Sequence, residues 1–294
     1  MAKHKNTPRK GNRRDFGAKR SEPATSPVQP SRAGTKKGGD KPPSAGIGSP
    51  WLYGIHPVLA ALANPNRTHQ RLVVSRDSAE SLQSRLTDAV EIGGKTDMSA
   101  EVLDRAELDA LLPPQALHQG LALLSRMTET PDLEDIIEHA AGKKHALLMV
   151  LDQASDPHNI GAVMRSSAAF GALAMILPDR HTPDVTGVMA KAASGALELV
   201  PMIRVGNLVH TLDRLKEAGF WCIGLDGTAG TALPQADLPA RTAFVLGAEG
   251  AGLRRLSKEH CDLLVKVPIG EQMESLNLSN AAAVALYEYA RQYS

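Results

Sequence analysis

Six short, continuous apolar runs in the second half of the chain constrain its fold more than any other feature. They alternate with segments of helical periodicity, and Gly, Pro or polar residues separate them. Strands that are apolar along their whole length are typical of a sheet covered on both faces, and such sheets are mainly parallel. The sequence therefore predicts an α/β fold with a mainly parallel sheet. The runs are 146–151, 173–177, 199–205, 220–225, 242–246 and 263–267.

Helices are predicted between these runs, and Ser279 is predicted to be the N-cap of a last helix that reaches the C-terminus. Pro201 lacks a backbone donor, which argues against a central, fully paired position at that point of its strand. A smaller α/β unit is predicted before the runs, beginning near Trp51. The predicted helices are 57–62, 81–90, 133–140, 160–170, 184–194 and 208–218, and the predicted strands of the smaller unit are 71–75 and 121–124.

The charges divide the chain into a basic segment and a mildly acidic remainder. Residues 1–45 hold 12 Lys and Arg against 3 Asp and Glu, whereas the remaining residues hold 21 against 29. The basic segment is rich in Pro, Gly and Ser and cannot bury enough apolar surface to fold alone, so we expect residues 1–48 to form a disordered tail. Three roles stay open for the tail: a tether for RNA phosphates, a solubilising extension, and an organelle-targeting peptide.

The composition argues against a membrane protein, a disulfide scaffold and a metalloprotein. The sequence has no apolar run of membrane-spanning length and no signal-peptide core, so we expect a cytoplasmic protein. Cys222 and Cys261 are too few for a disulfide framework and are expected to be reduced thiols. Asp152, Asp156 and His158 are close in sequence, but no further ligands cluster with them, so no metal is expected.

Three polar segments that contain glycine each follow an apolar run, and together they predict a binding site. Loops from several strands of a parallel sheet meet at the carboxyl ends of those strands, and glycine lets their backbone approach a ligand closely. The spacing at 247–252 is G-x-x-G-x-G rather than the G-x-G-x-x-G of a dinucleotide-binding loop, which argues against a nicotinamide-dependent oxidoreductase. The three segments are 156–165, 246–253 and 267–279.

The order and content of these segments resemble the SpoU/TrmH branch of the SPOUT RNA methyltransferases. The resemblance rests on N-I-G-x-x-x-R at 159–165, G-A-E-G-A-G at 247–252 and S-L-N at 275–277. It implies a C-terminal SPOUT domain whose mainly parallel sheet is followed by a segment that threads a trefoil knot. It also implies S-adenosylmethionine as the methyl donor and the ribose 2′-hydroxyl of RNA as the acceptor.

The resemblance assigns roles to ten residues of this chain. Arg165 is implied as the catalytic residue and Asn159 as the residue that orients it. Backbone of the second and third segments is implied to bind the methyl donor. The implied catalytic set is Arg165, Asn159, Glu249, Ser275 and Asn277, and the implied donor-binding set is Gly247, Val267, Leu276, Leu246 and Ile269.

Two physical accounts of Arg165 stay open. Arg165 either binds the phosphate beside the target ribose and positions the 2′-oxygen, or takes the proton itself, which requires a neutral guanidine. The first account is favoured, because a guanidinium is too basic to be an ordinary general base. Asn159 and Arg165 are six residues apart and cannot share a helix face, so Asn159 is expected in the loop and Arg165 one turn inside the helix. Glu198, in another matching segment, either faces RNA or is an ordinary surface charge.

The N-terminal unit resembles the ribosomal-L30e-like module that binds RNA in bacterial guanosine-2′-O-methyltransferases of 23S ribosomal RNA. This resemblance rests on Y-G-I-H-P-V at 53–58 and H-Q-G at 118–120. It implies an L30e-like domain over 49–126, a linker over 127–144 and a methyltransferase domain over 145–294. It also implies a homodimer that acts on a guanosine in 23S ribosomal RNA.

Two rival functions stay open. A transfer-RNA 2′-O-methyltransferase of the same branch would carry the same motifs. A non-catalytic RNA-binding factor for ribosome assembly would keep the fold without turnover. Mapping of the methylated position separates the two RNA substrates, and product formation separates an enzyme from a binding factor.

Deletion of residues 1–45 tests the tether role of the tail. Salt screens contacts between basic side chains and phosphates, so the deletion is expected to weaken RNA binding most at low salt. The affinity for S-adenosylmethionine is expected to stay the same, because the predicted donor-binding residues all lie in the second half of the chain. Equal RNA affinity of the full and shortened chains at every salt concentration, measured by filter binding, would rule out the tether.

Overall fold

Two β-sheets form the frame of the computed structural model, which describes residues 51–94, 98–127, 130–180 and 182–293. The basic segment 1–48, with the disorder expected for it, lies outside the described residues. Within them, no helix has the length and hydrophobicity of a membrane span.

The first sheet consists of the strands β1 (Trp51–Tyr53), β2 (Arg67–Ser75), β3 (Ala100–Leu103) and β4 (Leu121–Met127). They lie in the order β1-β4-β2-β3, with β4 antiparallel to both of its neighbours. Helices α1 (Ile55–Ala63) and α2 (Arg76–Ile92) pack on one face, and α3 (Arg105–Leu111) packs on the other. The prediction of a smaller α/β unit is confirmed, although β1, β3 and α3 were missed because they are too short to show periodicity.

The second sheet consists of the strands β5 (Ala146–Leu151), β6 (Ala174–Pro178), β7 (Met202–Val205), β8 (Trp221–Leu225), β9 (Thr231–Ala232), β10 (Arg241–Leu246) and β11 (Leu263–Lys266). They lie in the order β7-β6-β5-β10-β8-β11-β9, and all neighbouring strands are parallel. The predicted α/β fold with a mainly parallel sheet is therefore confirmed. The two residues of β9 carry no periodic signal and were not predicted.

Helices cover both faces of the second sheet. They are α4 (Leu133–Ala141), α5 (Pro157–Ala169), α6 (Gly187–Ala193), α7 (Leu208–Glu217), α8 (Arg255–Glu259) and α9 (Leu278–Tyr293). Alternate residues of β5 point to opposite faces: Leu147 and Met149 belong to a core with α5, α6 and α9, whereas Leu148 and Val150 belong to a core with α4 and α7. Burial on both faces explains why the strand is apolar along its whole length.

The strand predicted over 199–205 is shorter in the structure. It begins at Met202, directly after Pro201, and β7 lies at the edge of the sheet. An edge strand tolerates a residue without a backbone donor, which agrees with the expectation that Pro201 is not centrally paired.

The helix predicted over 184–194 is also shorter. It begins at Gly187, because the Thr186 hydroxyl caps it by accepting a hydrogen bond of 3.2 Å from the Met189 backbone. It ends before Ser194, whose φ of +51° is left-handed.

A buried ion pair joins the first half of the described structure, 51–127 with the first sheet, to the second half, 130–293 with the second sheet. The Nε of Arg67 donates to Glu198 Oε2 at 2.8 Å, and the side-chain nitrogen of Asn64 donates to the same oxygen at 2.6 Å. The side chains of Arg67 and Glu198 are only 5% and 7% exposed. Both interpretations of Glu198, as an RNA-facing residue and as a surface charge, were therefore wrong. Its partners lie more than a hundred residues earlier, where sequence patterns do not reach.

Glycines let the two halves approach closely at two further points. A Cβ atom at Gly187 would lie 2.1 Å from the ring of Tyr53. A Cβ atom at Gly195 would lie 3.0 Å from the Cβ atom of Ala60. Gly195 also has a φ of +94°, which a side chain rarely permits. The start of α6 and the turn after it therefore pack directly on β1 and α1.

Glu198→Ala is expected to lower the free energy of unfolding by about 3–5 kcal/mol, because it leaves the buried Arg67 guanidinium without its carboxylate. Chemical denaturation followed by circular dichroism measures the change. Glu259→Ala is the matched control, since Glu259 pairs with Arg255 on the surface and its loss should cost about 1 kcal/mol or less. Equal losses in the two variants would show that the buried pair does not stabilise the contact between the halves.

Candidate active site

The carboxyl ends of three adjacent strands lie at the same level. Leu151 at the end of β5 pairs with Leu246 of β10, and Leu246 pairs in turn with Leu225 of β8. From β5 the chain proceeds to β6 and β7 on one side, whereas β8, β11 and β9 lie beyond β10 on the other. The boundary between β5 and β10 is therefore a topological switch point, where α/β sheets bind ligands outside the carboxyl ends of their strands.

A pocket of about 340 Å³, here called the strand-end pocket, is lined by the segments that follow β8, β10 and β11 and by the start of α9. Two predicted catalytic residues, Glu249 and Ser275, line it. The predicted donor-binding residues also line it, and they are Leu246, Gly247, Val267, Ile269 and Leu276.

Gly247 allows the loop after β10 to fold back on itself. A Cβ atom at Gly247 would lie 1.9 Å from the backbone carbon of Gly252, which leaves no room for a side chain. The backbones of Ala248 and Gly252 exchange hydrogen bonds of 3.1 and 2.9 Å, and Gly250 has a φ of +78°. The loop is therefore tight enough to present its backbone to the pocket at close range.

The turn after β8 also lines the strand-end pocket, and the sequence-based site did not include it. The Asp226 carboxylate accepts from the Thr228 backbone at 2.9 Å and from its hydroxyl at 2.7 Å, and it forms an ion pair with Lys258. Burial by itself would raise the pKa of Asp226, but the hydrogen bonds from Lys258 and Thr228 outweigh burial and hold it below its ordinary value. The available signal was a polar, glycine-containing segment, 226–230, directly after an apolar run, as in the three predicted site segments.

Three predicted catalytic residues form a closed ring of hydrogen bonds. The side chain of Asn159 donates to Glu249 at 3.1 Å, and that of Asn277 donates to Glu249 at 3.0 Å and to Asn159 at 3.1 Å. Each residue belongs to a different one of the three glycine-bearing segments. The ring therefore ties the three segments together, as the prediction of a site assembled from several loops requires.

The position of Asn159 differs from the expectation. It lies in the first turn of α5 rather than in the preceding loop, because the helix begins earlier than predicted. The Asp156 side chain caps the helix by accepting from the His158 backbone at 3.0 Å, and Pro157 occupies the first helical position.

Asn277 also caps α9. Its side-chain oxygen accepts from the backbone nitrogen of Ser279 at 2.9 Å and from the Ser279 hydroxyl at 2.6 Å. The helix begins at Leu278, so the prediction of Ser279 as its N-cap was wrong. The amide oxygen of Asn277 accepts the capping hydrogen bonds, and its amide nitrogen donates the hydrogen bonds of the ring. These two roles fix the orientation of the side chain.

Arg165 lies in a different cavity, a cleft of about 630 Å³ between the first half and helices α5, α6 and α9, here called the interdomain cleft. Its side chain is exposed, and no other described residue forms a hydrogen bond or ion pair with it. His158, seven residues before Arg165, is on the same face of α5 and lines the same cleft. Ser279 lines the cleft too, so the segment 277–279 lies between the two cavities.

The two cavities differ in charge. The strand-end pocket is lined by the carboxylates of Asp226, Glu249 and Glu274 and by one ammonium, that of Lys258. The described residues that line the interdomain cleft include Arg165 and Lys191 but no Asp or Glu. A cationic ligand therefore fits the pocket and an anionic ligand fits the cleft.

The residues considered as metal ligands have other surroundings. Asp152 accepts from the Ser257 hydroxyl at 2.6 Å and pairs with Arg254 at 2.6 Å. In the described ranges, no group of three His, Cys, Asp or Glu side chains could hold a metal ion. Both cysteines are free, as expected, and burial raises the pKa of Cys261 to about 12, so its thiol stays protonated.

The fold and the two cavities define a class, an α/β protein in which an acidic pocket at the strand ends adjoins a cleft lined by cations. Residues 146–287 match the model of the SpoU rRNA methylase family, and residues 51–144 match that of the RNA 2′-O ribose methyltransferase substrate-binding family. The chain belongs to the SpoU rRNA methylase family and is an RNA methyltransferase.

Two relatives are similar over nearly their whole length. The chain is 40% identical over 243 residues to the 23S rRNA (guanosine-2′-O-)-methyltransferase of Coxiella burnetii. The aligned residues are 82% of this chain and 95% of that protein. It is 38% identical over 245 residues to the protein of the same name from Xylella fastidiosa. The aligned residues are 82% of this chain and 96% of that protein. The SpoU methyltransferase AviRb from Streptomyces viridochromogenes shares the fold, with a TM-score of 0.67 and 24% identity over 83% of this chain and 90% of that one.

Gly247→Ala is expected to weaken the binding of S-adenosylmethionine by about 5- to 150-fold, because the added methyl group overpacks the loop by about 1–3 kcal/mol. Isothermal titration calorimetry measures the affinity. Gly206→Ala makes the same chemical change at a glycine with open space around it and should leave the affinity unchanged. Wild-type affinity in Gly247→Ala would contradict the role of this loop in binding the donor.

Proposed function

We propose that this protein transfers a methyl group from S-adenosylmethionine to the ribose 2′-hydroxyl of a guanosine in 23S ribosomal RNA, so that S-adenosylhomocysteine leaves and the hydroxyl proton passes to water. The observation that carries the proposal is the arrangement of two cavities of opposite charge on either side of the segment 277–279. The named activity of the two relatives supports guanosine in 23S RNA as the target.

The strand-end pocket suits the methyl donor. S-adenosylmethionine supplies an electrophilic methyl group on a positively charged sulfur. Asp226 is paired with Lys258, so the carboxylates of Glu249 and Glu274 supply the negative charge that stabilises a cation in this pocket. The tight turn at Gly247 exposes backbone groups for hydrogen bonds, and Leu276 contributes apolar surface beside them.

The interdomain cleft suits the RNA backbone. Arg165 presents a guanidinium with no described protein partner, and a guanidinium can bind a phosphate through two parallel hydrogen bonds. We assign Arg165 the phosphate-binding role, in which it positions the neighbouring 2′-hydroxyl toward the methyl group. This role needs no loss of its proton, so it agrees with the basicity of arginine.

The hydrogen-bonded ring is proposed to align the two reactants. Asn159 and Asn277 hold Glu249 and the glycine loop against the start of α9, which borders both cavities. Ser275 completes the pocket wall next to Asn277. Fixed positions of donor and acceptor lower the entropic part of the barrier, which is the main contribution we propose for the protein.

We also propose the domain division expected from the sequence. It comprises the tail (1–48), an L30e-like RNA-binding domain (49–126), a linker (127–144) and a knotted methyltransferase domain (145–294). The two matching family models meet near residue 145, which supports the start of the methyltransferase domain there. The linker is held against the second sheet, because Ile136 and Ala140 of α4 are buried in its core.

A homodimer is proposed from the outer surface of α9. Val284 and Tyr287, three residues apart on one face of this helix, are 41% and 55% exposed, and Tyr287 contacts Phe170 edge to face at 6.1 Å between ring centroids. Large apolar side chains that cluster on an exposed surface are typical of contacts between subunits. An enzyme that modifies ribosomal RNA acts where ribosomes are assembled, so we also propose a cytoplasmic location.

Arg165→Ala is expected to lower methyl transfer by about 100-fold or more, because the 2′-oxygen is no longer positioned. The affinity for the donor is expected to stay the same, since Arg165 lies outside the strand-end pocket. The measurement is transfer of labelled methyl from S-adenosylmethionine to unmodified 23S RNA and to unmodified bulk transfer RNA, followed by mapping of 2′-O-methyl positions. Arg85→Ala, at an exposed arginine on α2, is the matched control.

Each outcome of this assay decides between the rival functions. Label at one guanosine of 23S RNA that is lost in Arg165→Ala supports the proposal and identifies the nucleotide. Label only in transfer RNA keeps the reaction and changes the substrate. No label in either RNA, with the donor still bound, favours a binding factor or a substrate in a partly assembled ribosomal particle. Near-normal turnover in Arg165→Lys would contradict both accounts of Arg165.

A further inference from the structure

A lysine, a glutamine and a glycine meet where α6 contacts the first half of the structure. The Lys191 ammonium donates a hydrogen bond to Gln119 Oε1, and the Ile55 backbone donates to the same oxygen at 3.4 Å. A Cβ atom at Gly54 would lie 2.7 Å from Lys191 Nζ and 3.3 Å from Gln119 Oε1. Gly54, from the first N-terminal motif, therefore leaves room for a contact made by Gln119, from the second.

Lys191 carries a charge that no described carboxylate neutralises. The amide oxygen of Gln119 is a neutral acceptor, and no described Asp or Glu forms an ion pair with Lys191. The side chain is half-buried, and burial lowers the pKa of Lys191 below its ordinary value. A half-buried cation without a counter-ion destabilises the free protein, which indicates that the counter-ion arrives with a ligand.

Lys191 and Arg165 line the same cleft from two adjacent helices. The helices α5 and α6 pack so closely that a Cβ atom at Gly161 would lie 2.4 Å from the carbonyl oxygen of Met189. The described lining of the cleft has no carboxylate, so both cations are available to one anionic ligand. A ligand with negative charges at regular intervals, such as the backbone of RNA, can bind both.

The backbone at Gln119 is held in an unusual conformation. Its φ is +55°, in the left-handed region that side chains other than Asn and Asp seldom adopt. His118 holds the turn, since its Nδ1 accepts from the Gly120 backbone at 3.0 Å and its Nε2 lies 2.9 Å from Asp109. Strained residues held by their neighbours are concentrated at functional sites. In this case the strained turn aims the Gln119 amide at Lys191.

We propose that Lys191 binds a phosphate of the substrate RNA in the interdomain cleft, beside the phosphate bound by Arg165, and that Gln119 positions its ammonium. The proposal rests on the proposed function and adds a second contact with the RNA backbone. When RNA binds, the ammonium exchanges a neutral acceptor for an anionic one, which forms the stronger hydrogen bond.

The test is the salt dependence of RNA affinity, measured by filter binding with an unmodified 23S RNA transcript between about 0.05 and 0.2 M salt. Lys191→Met removes the charge and keeps the aliphatic stem. We expect it to weaken binding about 5- to 10-fold at low salt and to reduce the slope of log affinity against log salt by about 0.7–0.9, the value for one lost phosphate contact. Lys191→Arg keeps the charge and should keep the slope.

Two further variants complete the design. Lys144→Met is the matched control, because Lys144 is exposed in the turn before β5, at the end of the strand remote from the site segments. It should change neither affinity nor slope. Gln119→Gly removes the amide at a backbone conformation that suits glycine, and it should weaken binding about 2- to 3-fold without changing the slope, since the charge is still present.

An unchanged slope in Lys191→Met would overturn the proposal, whether or not the affinity falls, and would leave Lys191 as a contact between the two halves. Absence of transcript binding by the wild-type protein would also overturn it. Failure of the proposed function has a different signature: wild-type protein that binds the transcript but transfers no methyl group, whatever the slope measured for Lys191→Met.

Discussion

The ring of hydrogen bonds among Asn159, Glu249 and Asn277 is the interaction on which the rest of the site depends. Asn159 and Glu249 are 90 residues apart along the chain, and Glu249 and Asn277 are 28 residues apart. The three residues follow three different strands. Each member of the ring bonds to both of the others, so removal of one member breaks two of the three hydrogen bonds. Asn277 also caps α9, so the same ring sets where that helix begins beside both cavities.

The parallel sheet makes this ring possible. Because β5, β10 and β11 end near the same level of the sheet, with β8 between β10 and β11, the segments that follow them emerge at the same end and their polar groups can meet. The acidic pocket lies among these segments, whereas the cationic cleft lies between the helices on one face of the sheet and the first half. The buried pair of Arg67 and Glu198 and the contact of Lys191 with Gln119 join the first half to the second.

Local features were predictable where burial leaves a pattern in the sequence. The strand at 146–151 has the predicted bounds, because a strand covered on both faces is apolar throughout. Helix ends were less predictable, because the caps formed by Asp156 and Asn277 depend on only one or two hydrogen bonds each. The trefoil knot implied by the family resemblance stays a prediction.

The sequence by itself determined the α/β fold and the segments that supply the site, since every predicted site residue lies in a segment that follows an apolar run. Only the tertiary structure decided how these residues are divided, with Arg165 in the cleft and the predicted donor-binding residues in the pocket. It also decided that Glu198 is buried and that Asp226 belongs to the pocket. The physical reason is that periodicity reports which side of an element is buried, whereas the partners of a polar side chain depend on elements far away in the chain.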